Sequence, residues 1–140
     1  MTATATRELV PIGWVRSPLK HRREAPKQGY EGAPDARIHV EPQFRPGLDR
    51  LAAGQELWIL TWLHESQRDV LIVRPRRDPS QPLTGVFATR SPDRPNPIGL
   101  HRVRLLAIEG DGMLHVSPLE AIDGTPVVDI KPTLPEAGGW

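Results

Sequence analysis

The sequence predicts a mainly β protein, a small antiparallel β-barrel with one short helix and long loops. Seven or eight short apolar segments recur along the chain, separated by turn-rich stretches that use many of the 16 prolines and 12 glycines. Only one stretch has helical spacing. A barrel or sandwich is the natural closure for short strands in a chain of 140 residues, because closure leaves few free edges.

The first part of the chain is predicted to contain a tail, two strands and a loop. Residues 1–8 lack apolar periodicity and are expected to be a flexible tail, and residues 9–140 are expected to form one domain. Strands are predicted over 10–15, with Ile12 and Trp14 on one face, and over 36–40, where Ile38 and Val40 alternate with polar residues. Prolines and glycines interrupt 24–35, which is therefore a long loop.

The helix and the most apolar strand follow. A helix is predicted over 46–53, because a proline stands near its start, Leu48 and Leu51 have helical spacing, and Gly54 ends it. The next segment, 56–64, is apolar on both faces. This pattern predicts a strand buried on both sides at the centre of the core.

The second half is predicted to contain strands joined by turns and loops, with no helix. A glycine-rich turn at 110–112 indicates a hairpin, and a second turn is expected at Asp123 and Gly124. In the last strand Val128 and Ile130 are expected to face the same way. The predicted strands are 69–74, 85–88, 100–108, 113–119 and 126–131.

The loop between the strands 85–88 and 100–108 carries the most information about function. Its three prolines, at positions 92, 95 and 97, exclude a helix or a central strand. We therefore expect a stiff loop that holds Arg90, Arg94 and Asn96 in fixed directions. Two guanidinium groups on such a loop indicate a site for an anion, a carboxylate or a nucleotide. The alternative is a surface turn whose arginines pair with nearby acids.

Charge and composition exclude several classes of function. The formal net charge of +1 gives no global field that requires nucleic acid, but basic clusters at 20–23, 74–77 and 90–104 could meet in space. They could equally be separate solvated patches. No apolar run approaches the length of a membrane span or a signal peptide, so a soluble, cytoplasmic protein is expected. A phosphate loop and a Rossmann fingerprint are both absent.

Metal and nucleophile chemistry find little support in the residues. The absence of cysteine excludes disulfides, thiolate metal sites and a cysteine nucleophile. The five histidines have no metal-ligand spacing, so no metal is expected, and most are read as surface or satisfied strand residues. His64 is the exception, because it ends the most apolar strand and precedes Glu65.

Four segments together resemble a known family. They are IGWVRSP, LWILTWLH, VFATRSPDRPNPIGL and DGTPVVDIKPTLP, at residues 12–18, 57–64, 86–100 and 123–135. In this order they resemble the TsaA or TrmO family over nearly the whole chain. The resemblance implies a β-barrel methyltransferase that binds S-adenosylmethionine without a Rossmann fold, usually as a homodimer. The activity it implies is N6-methylation of N6-threonylcarbamoyladenosine in the tRNA anticodon loop.

The resemblance also implies a set of cofactor-binding residues. We expect Arg90 to engage the methionine carboxylate, Leu100 to pack against the adenine, and Asp123 to receive the ribose or the amino group. The identity of a catalytic base stays open, because in-line methyl transfer depends mainly on alignment and desolvation. The implied residues are Gln28, Gly29, Tyr30, His64, Glu65, Arg90, Leu100, Asp123, Gly124, Thr125 and Pro126.

Two departures from the family keep other functions open. The sequence ends at Trp140, whereas tRNA-modifying members carry a further C-terminal domain, and Glu65 stands where a glutamine is expected. Both departures are compatible with an S-adenosylmethionine-dependent methyltransferase that acts on a small molecule. A third possibility is a module that binds S-adenosylmethionine without turning it over.

Overall fold

Six strands close into one antiparallel barrel in the computed structural model, which describes residues 5–134. Around the barrel the order is β1, β2, β7, β6, β3 and β8, and β8 pairs again with β1. The remaining two strands form a separate ribbon. In chain order the strands are β1 (Gly13–Arg16), β2 (Ala36–Val40), β3 (Glu56–Trp62), β4 (Ile72–Val73), β5 (Thr84–Gly85), β6 (Ile98–Glu109), β7 (Met113–Ser117) and β8 (Pro126–Pro132). The predicted mainly β barrel is confirmed.

Alternating side chains fill the interior of the barrel. In β3, Leu57, Ile59 and Thr61 point inward and are fully buried. The outward-facing Trp58 and Trp62 are only half-buried, with the guanidinium groups of Arg102 and Arg68 lying 5.8 and 5.1 Å from their ring centroids. The prediction that this strand is buried on both faces is therefore wrong. A closed barrel has one interior face, and cation–π contacts cover the outer one.

The predicted helix forms four residues earlier and in a tighter form. A 3₁₀ helix spans Pro42–Leu48, and turns follow it up to β3. Its hydrogen bonds join residues three apart, for example from the Phe44 amide to the Glu41 carbonyl at 2.9 Å. Pro46 has no amide hydrogen to extend an α-helix through this stretch. Phe44, Leu48 and Leu51 nevertheless pack against the barrel core, so the segment caps one end.

The two strands predicted on either side of residue 80 are much shorter than expected. β4 and β5 have two residues each, and Val86–Ala88 forms a 3₁₀ turn in place of a strand. In that turn Val86 is buried while Phe87 is 79% exposed. The ribbon therefore lies outside the barrel as part of a long excursion between β3 and β6.

A bulge changes the faces of β8. Thr61 pairs with Val127 and Leu60 with Asp129, so the register skips Val128. Because of this extra residue, the side chains of β8 that face the interior are those of Val127 and Ile130. Val127 is fully buried, and Ile130 packs against the core. The expectation that Val128 and Ile130 share a face is wrong for that reason. Sequence alternation alone does not reveal a bulge.

The predicted N-terminal tail falls partly outside the described residues. Residues 1–4 are not described, and residues 5–8 are exposed and belong to no strand or helix. Pro135, the last residue of the fourth motif, also lies outside the described range. No helix within residues 5–134 is long and apolar enough to cross a membrane.

Asp123 ties the start of β8 to the end of β1. Its Oδ1 accepts a hydrogen bond from the Ser17 amide at 2.9 Å, and Lys20 Nζ lies 3.2 Å from Oδ2. The bond from Ser17 holds the pKa of Asp123 below its ordinary value, and Lys20 acts in the same direction. Gly124 follows with φ of +83° and donates to the Val15 carbonyl at 2.7 Å. The predicted turn is confirmed, and its carboxylate is committed to the fold.

We predict that Asp123→Ala lowers the free energy of unfolding by about 1 to 2 kcal/mol at neutral pH, because the Ser17 amide loses its acceptor. A lowered folded-state pKa stabilises the fold above about pH 3.9, and this contribution is lost as pH falls through the folded pKa. The variant should therefore approach wild-type stability in acid. Urea unfolding at pH 7 and pH 3 measures both effects.

The matched control is Asp69→Ala, at an exposed carboxylate that bonds to no described residue. It should leave stability unchanged at either pH. Equal stability of Asp123→Ala and wild type at pH 7 would contradict the structural role.

Candidate functional site

A cavity of about 1150 Å³ opens at the end of the barrel where β3 ends and β6 begins. Its wall combines one rim of the barrel with the two longest excursions of the chain. A smaller groove of about 450 Å³ adjoins it along the outer face of β6. The cavity is lined by Arg22 and by residues of 25–30, 63–66, 73–77, 87–94, 98–101 and 120–125.

The proline-rich loop is stiffened by one of its own arginines. Arg94 donates from one guanidinium nitrogen to the Thr89 carbonyl at 3.0 Å and to the Ser91 carbonyl at 2.9 Å. The Thr89 hydroxyl in turn accepts the Ser91 amide at 3.1 Å. Arg94 is therefore held in a fixed direction, as expected, although its guanidinium is bonded to carbonyls of its own loop. Its guanidinium replaces the backbone donors that prolines remove.

The same loop is fastened to the turn that follows β3. The Gln67 amide donates to Asp93 Oδ1 at 2.8 Å, and the Arg94 amide donates to the Gln67 carbonyl at 3.0 Å. Arg68 bonds to the Pro95 carbonyl at 2.7 Å and to Asn96 Oδ1 at 3.0 Å. These contacts hold the two segments as one wall of the cavity.

Arg90 differs from Arg94 because its guanidinium does not bond to carbonyls of the loop. It is exposed and makes no hydrogen bond or ion pair with any described residue. It nevertheless lines both the cavity and the adjoining groove. A guanidinium presented in this way can accept a carboxylate or phosphate with two parallel hydrogen bonds.

Most of the site residues predicted from the sequence meet at this cavity. Gly29 lies apart from it, in the adjoining groove together with Gln28 and Tyr30. Asp123, Gly124 and Pro126 line neither space, because they form the turn described above and the first pairing of β8 with β1. Those that line the cavity are Gln28, Tyr30, His64, Glu65, Arg90, Leu100 and Thr125.

All three basic clusters contribute to the lining. Arg22 from the first cluster forms an ion pair with Asp93 at 3.3 Å. From the second cluster, Arg76 pairs with Glu31 at 2.6 Å, which lowers the pKa of Glu31. The cationic lining residues are Arg22, Lys27, Arg74, Arg76, Arg77, Arg90 and Arg94, against Glu65, Asp93 and Glu120. The excess of positive charge favours an anionic ligand.

Sequence reasoning missed one polar cluster of this site. Thr61, His101 and Glu120 lie together beside the cavity, with Thr61 Oγ1 2.7 Å from His101 Nε2 and His101 Nδ1 bonded to Glu120. The available signal was the alternation of β6, which places His101 on the same face as the buried Val103 and Leu105. His101 is a satisfied strand residue, as expected for most of the histidines, but its partnership with Glu120 beside the cavity was not predicted. Within residues 5–134 no group of three potential ligands is arranged to hold a metal ion.

Comparison with known proteins identifies the family. A probable S-adenosyl-L-methionine-binding protein from Methanothermobacter thermautotrophicus is 45% identical over 122 residues, covering 87% of this chain and 86% of the relative. An S-adenosyl-L-methionine-binding protein from Archaeoglobus fulgidus is 41% identical over 128 residues, covering 91% and 90%. The crystal structure of TrmO from P. aeruginosa matches with a TM-score of 0.78 and 32% identity over 99% of this chain.

This chain spans 60% of the length of that TrmO chain. Residues 14–138 match the family described as the tRNA-methyltransferase O N-terminal domain. The resemblance carried by the four sequence motifs is thereby confirmed, and the chain belongs to the TrmO N-terminal domain family.

Proposed function

We propose that this protein uses S-adenosyl-L-methionine to methylate N6 of N6-threonylcarbamoyladenosine in the anticodon loop of tRNA, and that it acts in the cytoplasm. The observation that carries the proposal is the cavity at the barrel rim, with an uncommitted guanidinium in its wall. Support comes from membership in the TrmO N-terminal domain family and from relatives named as S-adenosyl-L-methionine-binding proteins.

The lining residues fit the chemical groups of this cofactor. The methionine carboxylate needs a cationic partner, and Arg90 has none among the described residues. The adenine ring needs apolar surface, which Leu100 and Ile98 offer with 40% and 44% of their area exposed beside the cavity. The Gln28 side chain supplies an amide near the same wall. These residues would hold the cofactor.

The size of the cavity supports a reaction with two substrates. Single small ligands usually occupy pockets of about 300 to 1,000 Å³. At about 1150 Å³, the cavity exceeds that range and leaves room for a nucleoside beside the cofactor. Arg77 of the second basic cluster lines the cavity, and its guanidinium bonds to no described residue, so it is available to a phosphate that flanks such a nucleoside.

In the proposed reaction, the residues of this chain would orient the cofactor and keep water away from its methyl group. When bound, S-adenosyl-L-methionine supplies an electrophilic methyl group on a positively charged sulfur. The loop fixed by Arg94 keeps Arg90 in place, so that the methionine end is oriented without reorganisation of the wall. Leu63 and Ile98 line the cavity with apolar side chains, which would exclude water from the methyl group once the cofactor is bound.

Two other functions stay as alternatives. The relatives with the highest identity reported above are named for binding alone, which favours a non-catalytic S-adenosyl-L-methionine-binding module. The presence of Glu65 in the lining, where the family pattern has glutamine, favours a methyltransferase with a different, small-molecule acceptor.

We predict that incubation with isotopically labelled S-adenosyl-L-methionine and total tRNA transfers label to threonylcarbamoyladenosine. Digestion of the tRNA and mass spectrometry of the nucleosides detect it. Binding of tRNA should weaken steeply with salt, because several phosphates are neutralised. Cofactor binding without labelled tRNA would favour the alternatives, and release of S-adenosylhomocysteine with another acceptor would exclude the binding module.

A pair of arginine variants separates ligand binding from loop structure. Arg90→Ala should weaken S-adenosyl-L-methionine binding by about tenfold to a hundredfold through loss of a charge-assisted hydrogen bond, with little change in melting temperature. Arg94→Ala should instead lower stability by about 1 to 3 kcal/mol, because two carbonyls lose their donor. Calorimetric titration and thermal melting measure the two effects. A fall in melting temperature with unchanged affinity for Arg90→Ala would reassign Arg90 to a structural role.

We also propose that the protein is a homodimer. Large apolar side chains on and beside the β4–β5 ribbon are exposed, with Leu71, Ile72 and Leu83 at 61%, 62% and 64%. Exposed apolar side chains in one region are typical of interaction surfaces. Leu71→Asp should convert dimers to monomers in light-scattering measurements, whereas Leu9→Asp, at an exposed leucine near the N-terminus, should not. A wild-type monomer at all concentrations would contradict the proposal.

A further inference from the structure

A buried row of hydrogen bonds leads from the barrel interior to the cavity. Thr61 is fully buried and His101 is 5% exposed, and Thr61 Oγ1 lies 2.7 Å from His101 Nε2. The opposite ring nitrogen, Nδ1, is hydrogen-bonded to Oε1 of Glu120. The Glu120 side chain is 13% exposed, and it lines the cavity together with His101. Buried polar side chains are costly unless fully paired, so their presence here calls for a role.

The hydrogen-bonding capacities of the three groups define their protonation. When Glu120 is ionised, its carboxylate can only accept, so the hydrogen bond between them then runs from His101 Nδ1–H to Glu120 Oε1. In the neutral imidazole Nε2 is then an acceptor, and the Thr61 hydroxyl donates to it. The hydroxyl can also rotate and accept, so the row loses no hydrogen bond if His101 becomes charged. His101 therefore supports Glu120 in either state.

Two glycines keep both ends of this row open. A Cβ atom on Gly99 would overlap Thr61 Oγ1 and His101 Nε2, so only glycine allows the imidazole to lean across the strand to Thr61. A Cβ atom on Gly29 would lie 2.9 Å from Glu120 Oε2. The second carboxylate oxygen thus lies beside the loop that contains Gln28 and Tyr30, at the junction of the cavity and the adjoining groove.

Glu120 is held by a histidine in a cavity whose wall is rich in arginine. The other two acids of the lining, Glu65 and Asp93, approach His64 at 3.9 Å and Arg22 at 3.3 Å. For Glu120 the recorded partner is His101, and Oε2 makes no hydrogen bond with any described residue. A carboxylate that served only to balance the positive wall would bond to one of its guanidinium groups. Glu120 instead keeps an oxygen free to accept a proton.

We propose that Glu120 is the proton acceptor of the methyl-transfer reaction, with His101 and Thr61 as positioning residues that hold its carboxylate in place. The proposal rests on the proposed function, but it applies to any acceptor nitrogen that carries a hydrogen. The nitrogen–methyl bond forms as the bond between that methyl carbon and sulfur breaks, with the electron pair left on sulfur. The proton on the acceptor nitrogen moves to Glu120 Oε2. Because the nitrogen becomes strongly acidic as it is alkylated, a carboxylate is a sufficient base.

The test compares Glu120→Gln with Glu109→Gln, an equal substitution at a glutamate that ends β6, pairs with Arg37 and lines neither the cavity nor the adjoining groove. We expect Glu120→Gln to bind S-adenosyl-L-methionine and tRNA with wild-type affinity in calorimetric titration. Its single-turnover rate of methyl transfer should fall by about a hundredfold or more, the range typical for loss of a general base. Glu109→Gln should keep the wild-type rate. Retention of the wild-type rate by Glu120→Gln would overturn the proposal and leave the proposed function intact.

Two further measurements separate a proton acceptor from a packing residue. Formate should restore part of the rate to Glu120→Ala and have no effect on wild type, because a small carboxylate can occupy the vacated space. Nitrogen NMR of the labelled imidazole should show His101 protonated at Nδ1 in wild type and a different tautomer balance in Glu120→Gln. Absence of rescue together with an unchanged tautomer would overturn the assignment. A wild-type protein that transfers no methyl group to any acceptor would overturn the proposed function, and the assignment with it.

Discussion

Closure of six short strands into one barrel is the constraint on which the rest of this structure depends. A closed barrel pairs every strand on both sides and leaves a single narrow interior, which the core side chains of all six strands fill. Core side chains of the described residues occupy that interior, and the large cavity lies outside it. Binding is displaced to the rim, where the strands end and the loops begin, and the length of those loops determines the size of the cavity.

The pairing of β3 with β6 sets the position of that rim. Seven residue pairs run from Glu56 opposite Arg104 to Trp62 opposite Ile98, so the ends of the two strands lie side by side. The chain leaves the barrel after Trp62 and returns at Ile98, and the excursion supplies most of the cavity wall. At the same end, the buried polar side chains of Thr61 and His101 lie between the apolar core and the cavity.

The parts of this structure that could be predicted are those that depend on local pattern. The alternation of apolar and polar residues over 36–40 predicted the bounds of β2 correctly. The glycine-rich turn at 110–112 predicted the hairpin between β6 and β7. The bulge at Val128 depends on pairing between distant segments, and no local pattern encodes it. For the site, residue types on the proline-rich loop indicated an anion. The different tasks of Arg90 and Arg94 depend on which carbonyls lie within reach, and the partnership of His101 with Glu120 depends on strand register.

The contacts described above for the excursion between β3 and β6 are mostly contacts between its own residues. The ribbon of β4 and β5 has two residue pairs, and Arg94 closes the proline-rich loop through carbonyls of that same loop. Such a segment is expected to open and close as a local unit with a free energy well below that of global unfolding. Substitutions in it can then alter the shape of the cavity without weakening the strand ladder. Under the proposed function, substitutions in this excursion would change which acceptor is methylated while the barrel that carries the site stays the same.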